Sequence, residues 1–195
     1  MPGLPTQTEL FHCFVGEAFP EFWDRLRQAK NPNVAAMAHQ VQHTLAGEGL
    51  ELSLPDAVIT VKIDAAHTDS QFELFEVDAP RGPVTPLHRT PWPKAYYVLS
   101  GRMIVQVEDE GFDLGPGSAI TIPPGALHTE TVLSSLTKYL ALGLTGAMGR
   151  FFADLDATGT HGRPIDEVAQ VLQEVLTRHD VTVAGFEPAD LESVP

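Results

Sequence analysis

Two histidine-bearing segments, each punctuated by Gly and Pro at fixed offsets, constrain this chain more than any other feature. The first reads GPVTPLHRTPWPKAYYVLSG: Gly82 is followed after five residues by His88, and the segment closes at Gly101. The second reads GPGSAITIPPGALH: Gly117, five residues, Pro123, one residue, Gly125, two residues, His128. Gly supplies positive φ and Pro ends ladder pairing, so such segments turn at set places and carry only short strands between the turns. The flanking sequence has a period of two. AVITVKI (57–63) and FELFEV (72–77) are rich in β-branched and aromatic residues, as strands require. YYVLSGRMIVQVED predicts a hairpin turning at Ser100-Gly101, FDLGPGSAITIPPG predicts two turns around one short strand, and TETVL and TKYLALGL complete the series. Short strands at close spacing with no intervening helix predict a mainly β fold, an antiparallel sandwich or jelly-roll barrel.

These segments resemble the two sequence motifs of the cupin superfamily. The stretch from about 56 to 186 is similar to the small quercetin-dioxygenase-like monocupins, and no internal repeat suggests a bicupin. The resemblance implies a double-stranded β-helix whose mouth is lined by alternate residues of several strands. It also implies a ligand set of two histidines and a glutamate from the first motif and a histidine from the second. Such a set holds a divalent iron, manganese, nickel, copper or zinc ion. His88 and His128 fall on ligand positions; Thr90 stands where the second histidine would be and Lys94 where the glutamate would be. A hydroxyl is a poor ligand for such ions, and an ammonium repels a cation. The expected metal residues are therefore His88 and His128 alone, in a degenerate site that holds a divalent metal weakly or holds none.

Side chains two apart on a strand share a face. Glu130 should therefore face inward with His128, and Tyr96 with Lys94. The expected arrangement is an ion pair between Lys94 and Glu130 across the mouth, where the metal would otherwise sit, beside the Tyr96 ring. The alternative is that Lys94 snorkels outward over Trp92. The candidate catalytic residues are His88, Lys94, His128, Tyr96 and Glu130, with Met103, Val105, Ile120 and Ile122 as apolar lining or core. His39 and His43 are four apart on a predicted helix but have no third ligand nearby, and the remaining histidines are scattered. Cys13, the single cysteine, excludes an intramolecular disulfide and reads as an inert buried thiol.

Three regions are expected. Residues 1–50 form an N-terminal helical segment, with helices over 19–30 and 34–45; 51–150 form the barrel; 151–195 carry a C-terminal helix and tail. That last helix runs from Pro164 to about His179, with Ile165, Val168, Ala169, Leu172, Val175 and Leu176 as one apolar stripe. A short extended piece, VTVAGF, follows it. The net charge of −14, from 26 acidic and 12 basic residues, repels phosphate backbones and anionic lipid, which argues against nucleic-acid and membrane partners. No apolar run is long enough to span a bilayer, and the start lacks a basic region followed by an apolar core; a cytoplasmic protein is expected. The resemblance further implies a homodimer, with Phe22, Trp23 and Leu26 as a candidate contact unless they pack on their own barrel.

Two classes of function fit. In the first, the chain is a small-molecule enzyme of secondary or aromatic metabolism, dioxygenase-like with a metal and isomerase- or cyclase-like without one. In the second, it is a non-catalytic binding or sensor module for a small apolar ligand.

Overall fold

A computed structural model of the chain describes residues 41–82, 85–159, 163 and 165–184. In chain order these form β1 (Leu50–Ser53), β2 (Val58–Ile63), β3 (Phe72–Pro80), β4 (His88–Arg89), β5 (Lys94–Ser100), β6 (Met103–Val107), β7 (Glu110–Leu114), β8 (Ala119–Ile122), β9 (His128–Val132) and β10 (Leu136–Leu144). Two helices follow, α1 (Ala147–Ala157) and α2 (Ile165–Arg178), and then β11 (Thr182–Val183). The strands make a six-stranded sheet in the order β1-β2-β3-β10-β5-β8 and a five-stranded sheet in the order β11-β4-β9-β6-β7. Every pairing is antiparallel. Among the described residues the two sheets are hydrogen-bonded separately, a sandwich and not one closed ring. No helix of the described residues is long and apolar enough to cross a membrane.

Period-two alternation sets the core. On β3, Glu73, Phe75, Val77 and Ala79 are buried; on β10, Thr137, Tyr139, Ala141 and Gly143; on β5, Lys94, Tyr96 and Val98. Met103 and Val105 of β6 complete the core from the facing sheet. A pleated strand with one buried face gives this alternation, and a one-residue slip would turn it inside out.

Two sequence expectations need correction. β5 and β6 are not a hairpin: β5 pairs with β10 and β8, whereas β6 pairs with β7 and β9. The turn at Ser100-Gly101 carries the chain from one sheet to the other. Gly101 has φ +82°, and a Cβ there would stand 2.5 Å from the Leu136 carbonyl oxygen. Both strain and clash disfavour a side chain, so Gly101→Ala should cost about 1–3 kcal/mol, read as a lower urea midpoint at unchanged slope. Second, the described end of the expected 34–45 helix is not helical. Residues 41–45 run without regular structure, Thr44 Oγ1 donating to the Lys62 carbonyl at 2.9 Å and the Leu45 N–H to Glu48 Oε2 at 3.2 Å. The rest of that helix, the one over 19–30, His39 and Cys13 lie outside the described residues.

Helix α1 lies outside every element expected from the sequence. Met148, Phe151, Phe152 and Leu155 have the spacing of one helix face, and Met148, Phe151 and Leu155 are buried. Buried Glu73 accepts a hydrogen bond from the Gly149 N–H at 2.9 Å, capping the first turn of α1 from the sheet. Burial pushes the Glu73 carboxyl above its ordinary pKa. Phe152 meets Phe75 edge-on at 5.4 Å and Phe151 meets Trp92 at 5.5 Å. At the far end of α2, His179 Nε2 donates to Asp154 Oδ2 at 2.8 Å and ties the two helices together.

Candidate active site between the sheets

The inner faces of the sheets and the two helices enclose a cavity of about 770 Å³. One part of its wall is polar: His88 and Thr90 from the β4 segment, Lys94 and Tyr96 from β5, and Glu130 from β9. Asp56 and Thr85 also reach it, and most of the remainder is apolar, with Ile59, Val77, Met103, Met148, Phe151 and Leu172 prominent. The helical part of this wall was missed by the sequence reading; the 3–4 spacing of Met148, Phe151, Phe152 and Leu155 was the signal that could have found it. Val105 and Ile122 belong to the core behind the wall, and Ile120 is only partly buried.

β4 and β9 pair so that His88 lies directly opposite His128, and the two rings stand 4.0 Å apart between centroids. Each ring is locked in the same way. His88 Nδ1 lies 2.9 Å from the Pro86 carbonyl oxygen, and His128 Nδ1 lies 2.8 Å from that of Ala126. A carbonyl can only accept, so each Nδ1 carries the proton and each Nε2 keeps a lone pair. His128 is fully buried, and its Nε2 has no hydrogen-bond partner. Burial, reinforced by the positive charge of Lys94, holds the pKa of His128 down to about 4. His88 is lowered for the same two reasons, with Glu130 opposing.

Glu130 projects from the same face of β9 as His128. The Tyr96 hydroxyl donates to Glu130 Oε1 at 2.6 Å, and Lys94 Nζ lies 3.9 Å from that oxygen, both side chains being almost fully buried. Lys94 therefore points inward, against Glu130, and does not snorkel over Trp92. Burial lowers the Lys94 pKa, while Glu130 and Asp56 pull it back up. Burial pushes the Glu130 carboxyl up, but Lys94 and the two histidines outweigh it and hold it below the ordinary value. Tyr96 is raised by burial and by the Glu130 charge. Thr90 is buried and its hydroxyl donates to the Trp92 carbonyl at 3.2 Å, which occupies it structurally.

The donor set suits a metal ion. His88, His128 and Glu130 each bring one ligand atom to within 4.8 Å of the others. Two imidazole nitrogens and a carboxylate oxygen are the donors that divalent iron, manganese, nickel, copper and zinc accept. An imidazole whose second nitrogen donates to a backbone carbonyl is the usual outer arrangement of a metal-bound histidine. The orphaned Nε2 of His128 is what such an ion would satisfy. The sequence reading had Glu130 as a partner for Lys94 and not as a third ligand.

Residues 74–135 match the cupin domain family. Over 180 residues the chain is 24% identical to quercetin 2,3-dioxygenase of Bacillus subtilis (strain 168), which covers 92% of this chain and 51% of that protein. The chain thus spans about half the length of this curated relative. Among solved structures, the polyketide cyclase RemF from Streptomyces resistomycificus is similar at a TM-score of 0.47 and 23% identity, over 54% of this chain and 80% of that one. KdgF from Halomonas sp. is similar at 0.47 and 20%, over 52% and 93%. The DMSP lyase DddQ from Ruegeria pomeroyi DSS-3 is similar at 0.41 and 22%, over 46% and 47%. Over residues 74–135 the chain is thus similar to the cupin domain family.

Proposed function

We propose that this chain is a metal-dependent cupin enzyme that transforms a small, mainly apolar molecule in the cavity between its sheets, with His88, His128 and Glu130 as ligands. The observation that carries this reading is the lone pair of His128 Nε2, buried, unpartnered and directed by the Nδ1 hydrogen bond to Ala126. The likeness to a quercetin 2,3-dioxygenase supports a dioxygenase-like reaction on an oxygen-bearing substrate. A divalent ion bound there supplies Lewis-acid polarisation of a substrate oxygen and a meeting point for dioxygen.

The chain's own residues do the rest. Tyr96 fixes the Glu130 carboxylate by donating to Oε1. The carbonyls of Pro86 and Ala126 hold the two imidazoles in one tautomer. Met148, Phe151 and Leu172 shield the reacting groups from water and orient an apolar substrate against the polar wall. One observation favours a second reading: buried Lys94 and Glu130, 3.9 Å apart, are an acid/base pair suited to metal-free isomerisation or cyclisation.

Metal content measured by inductively coupled plasma mass spectrometry separates the two. Protein purified without chelator should carry about one equivalent of a transition metal per chain. Less than about a tenth of an equivalent, unchanged after incubation with each candidate ion, would give the site to the Lys94–Glu130 pair.

A further inference from the structure

Lys94 opens β5, within electrostatic reach of both histidines, and it is more than nine-tenths buried. Among the described residues its Nζ makes no hydrogen bond. Its one close charged neighbour is Glu130 Oε1 at 3.9 Å, outside hydrogen-bond range, and that oxygen already accepts from Tyr96 at 2.6 Å. The Tyr96 ring, 5.5 Å from Nζ, is the remaining favourable contact. A side chain with three donors thus sits on a cavity wall with none of them used. An ammonium on a cavity wall without a full counter-charge is costly unless something in the cavity accepts its hydrogen bonds.

We propose that Lys94 is the residue that recognises the substrate, by binding an anionic oxygen, so that the substrate class is a small, largely apolar organic acid: an aryl or alkyl carboxylate, or an acidic enol. The inference rests on the proposed metal reading of the same site and deepens it. A carboxylate that serves an ion shares its charge with that ion, so Glu130 as a ligand leaves Lys94 without its counter-charge. A divalent ion and Lys94 against one carboxylate make the polar wall cationic. The other acidic residue on the lining is Asp56, which is exposed and accepts from the Thr85 hydroxyl at 2.9 Å. An anionic oxygen lowers that excess of positive charge and accepts from the Lys94 ammonium.

The shape of the cavity gives the rest of the substrate. Lys94 is the sole Lys or Arg among the described lining residues, one ammonium for one carboxylate or enolate oxygen. Beyond the polar wall lie Trp92, Phe151, Met148 and Leu172, which suit an aromatic or aliphatic body.

The test titrates zinc-loaded wild-type protein with 2-naphthoate and with 2-naphthamide by calorimetry, and repeats both titrations without metal. The two probes share shape and differ in charge. The acid should bind about 10- to 100-fold more tightly than the amide, the range expected for one charge-assisted hydrogen bond. Lys94→Met should bring the two to within about threefold with zinc content unchanged, and Lys94→Gln serves if the methionine variant does not fold. Equal binding of acid and amide by the wild type, no binding of the acid, or a preference that survives in the variant overturns the proposal. A Lys94-dependent preference in protein that retains no zinc upholds Lys94 as the anion-binding residue and removes the metal reading. Retained zinc without any preference does the reverse.

Discussion

Alanine in place of His128 should leave a folded protein that no longer retains metal. His128 supplies the most deeply buried donor of the three, and its Nε2 has no other partner to satisfy. Outer partners of a bound metal already change affinity by 10- to 100-fold, so loss of a direct ligand should cost about 100-fold or more. Dialysis against a competing chelator followed by elemental analysis reads this directly. The substitution also frees the Ala126 carbonyl from its Nδ1 partner and opens a small void. These should cost about 1–3 kcal/mol, short of unfolding a domain of this size. A variant that still holds one equivalent would mean that the metal sits elsewhere.

The largest effect on stability should come from Phe75→Ala. Phe75 lies in the middle of β3, opposite Ala141 of β10 and Val61 of β2. It is completely buried and packs edge-on against Phe152 of α1 at 5.4 Å. Truncating such a ring removes its transfer free energy and leaves a hole that a sheet interior cannot close, about 3–5 kcal/mol. For a chain of this size that corresponds to a melting temperature roughly 6–20 °C lower. Thermal unfolding followed by circular dichroism checks it; a shift under about 3 °C would show that the site collapses more readily than its burial suggests. Because the same ring supports α1, the variant should also bind any cavity ligand more weakly.

The long strands β3, β5 and β10 were readable because each carries its own alternation, whereas β1, β4 and β7 are too short or too exposed to show one. The pairing of β5 was not readable. A glycine turn between two alternating runs looks the same whether the chain folds back on its neighbour or crosses to another sheet, and the Leu136 backbone that demands Gly101 is thirty-five residues away. Helix α1 was legible in its apolar spacing but hidden by Gly146 and Gly149, which weaken helix propensity; Gly149 is there because a side chain would strike the Glu73 carboxylate. At the candidate site, parity alone put Glu130 inward beside His128. Parity carries no distances, so it could not tell that His88, His128 and Glu130 converge within 4.8 Å. Nor could it tell that the Thr90 hydroxyl is occupied by a backbone carbonyl.

The matched family segment, 74–135, contains His88, Lys94, Tyr96, His128 and Glu130. Much of the apolar wall of the cavity lies outside it: Ile59 before, and Met148, Phe151, Leu172 and Val181 after. On the proposed function, the reacting groups and much of the surface that would fit a substrate's apolar body thus lie in different stretches of one chain. An engineer could exchange the α1–α2 region to admit a different molecule and leave the chemistry untouched, or do the opposite.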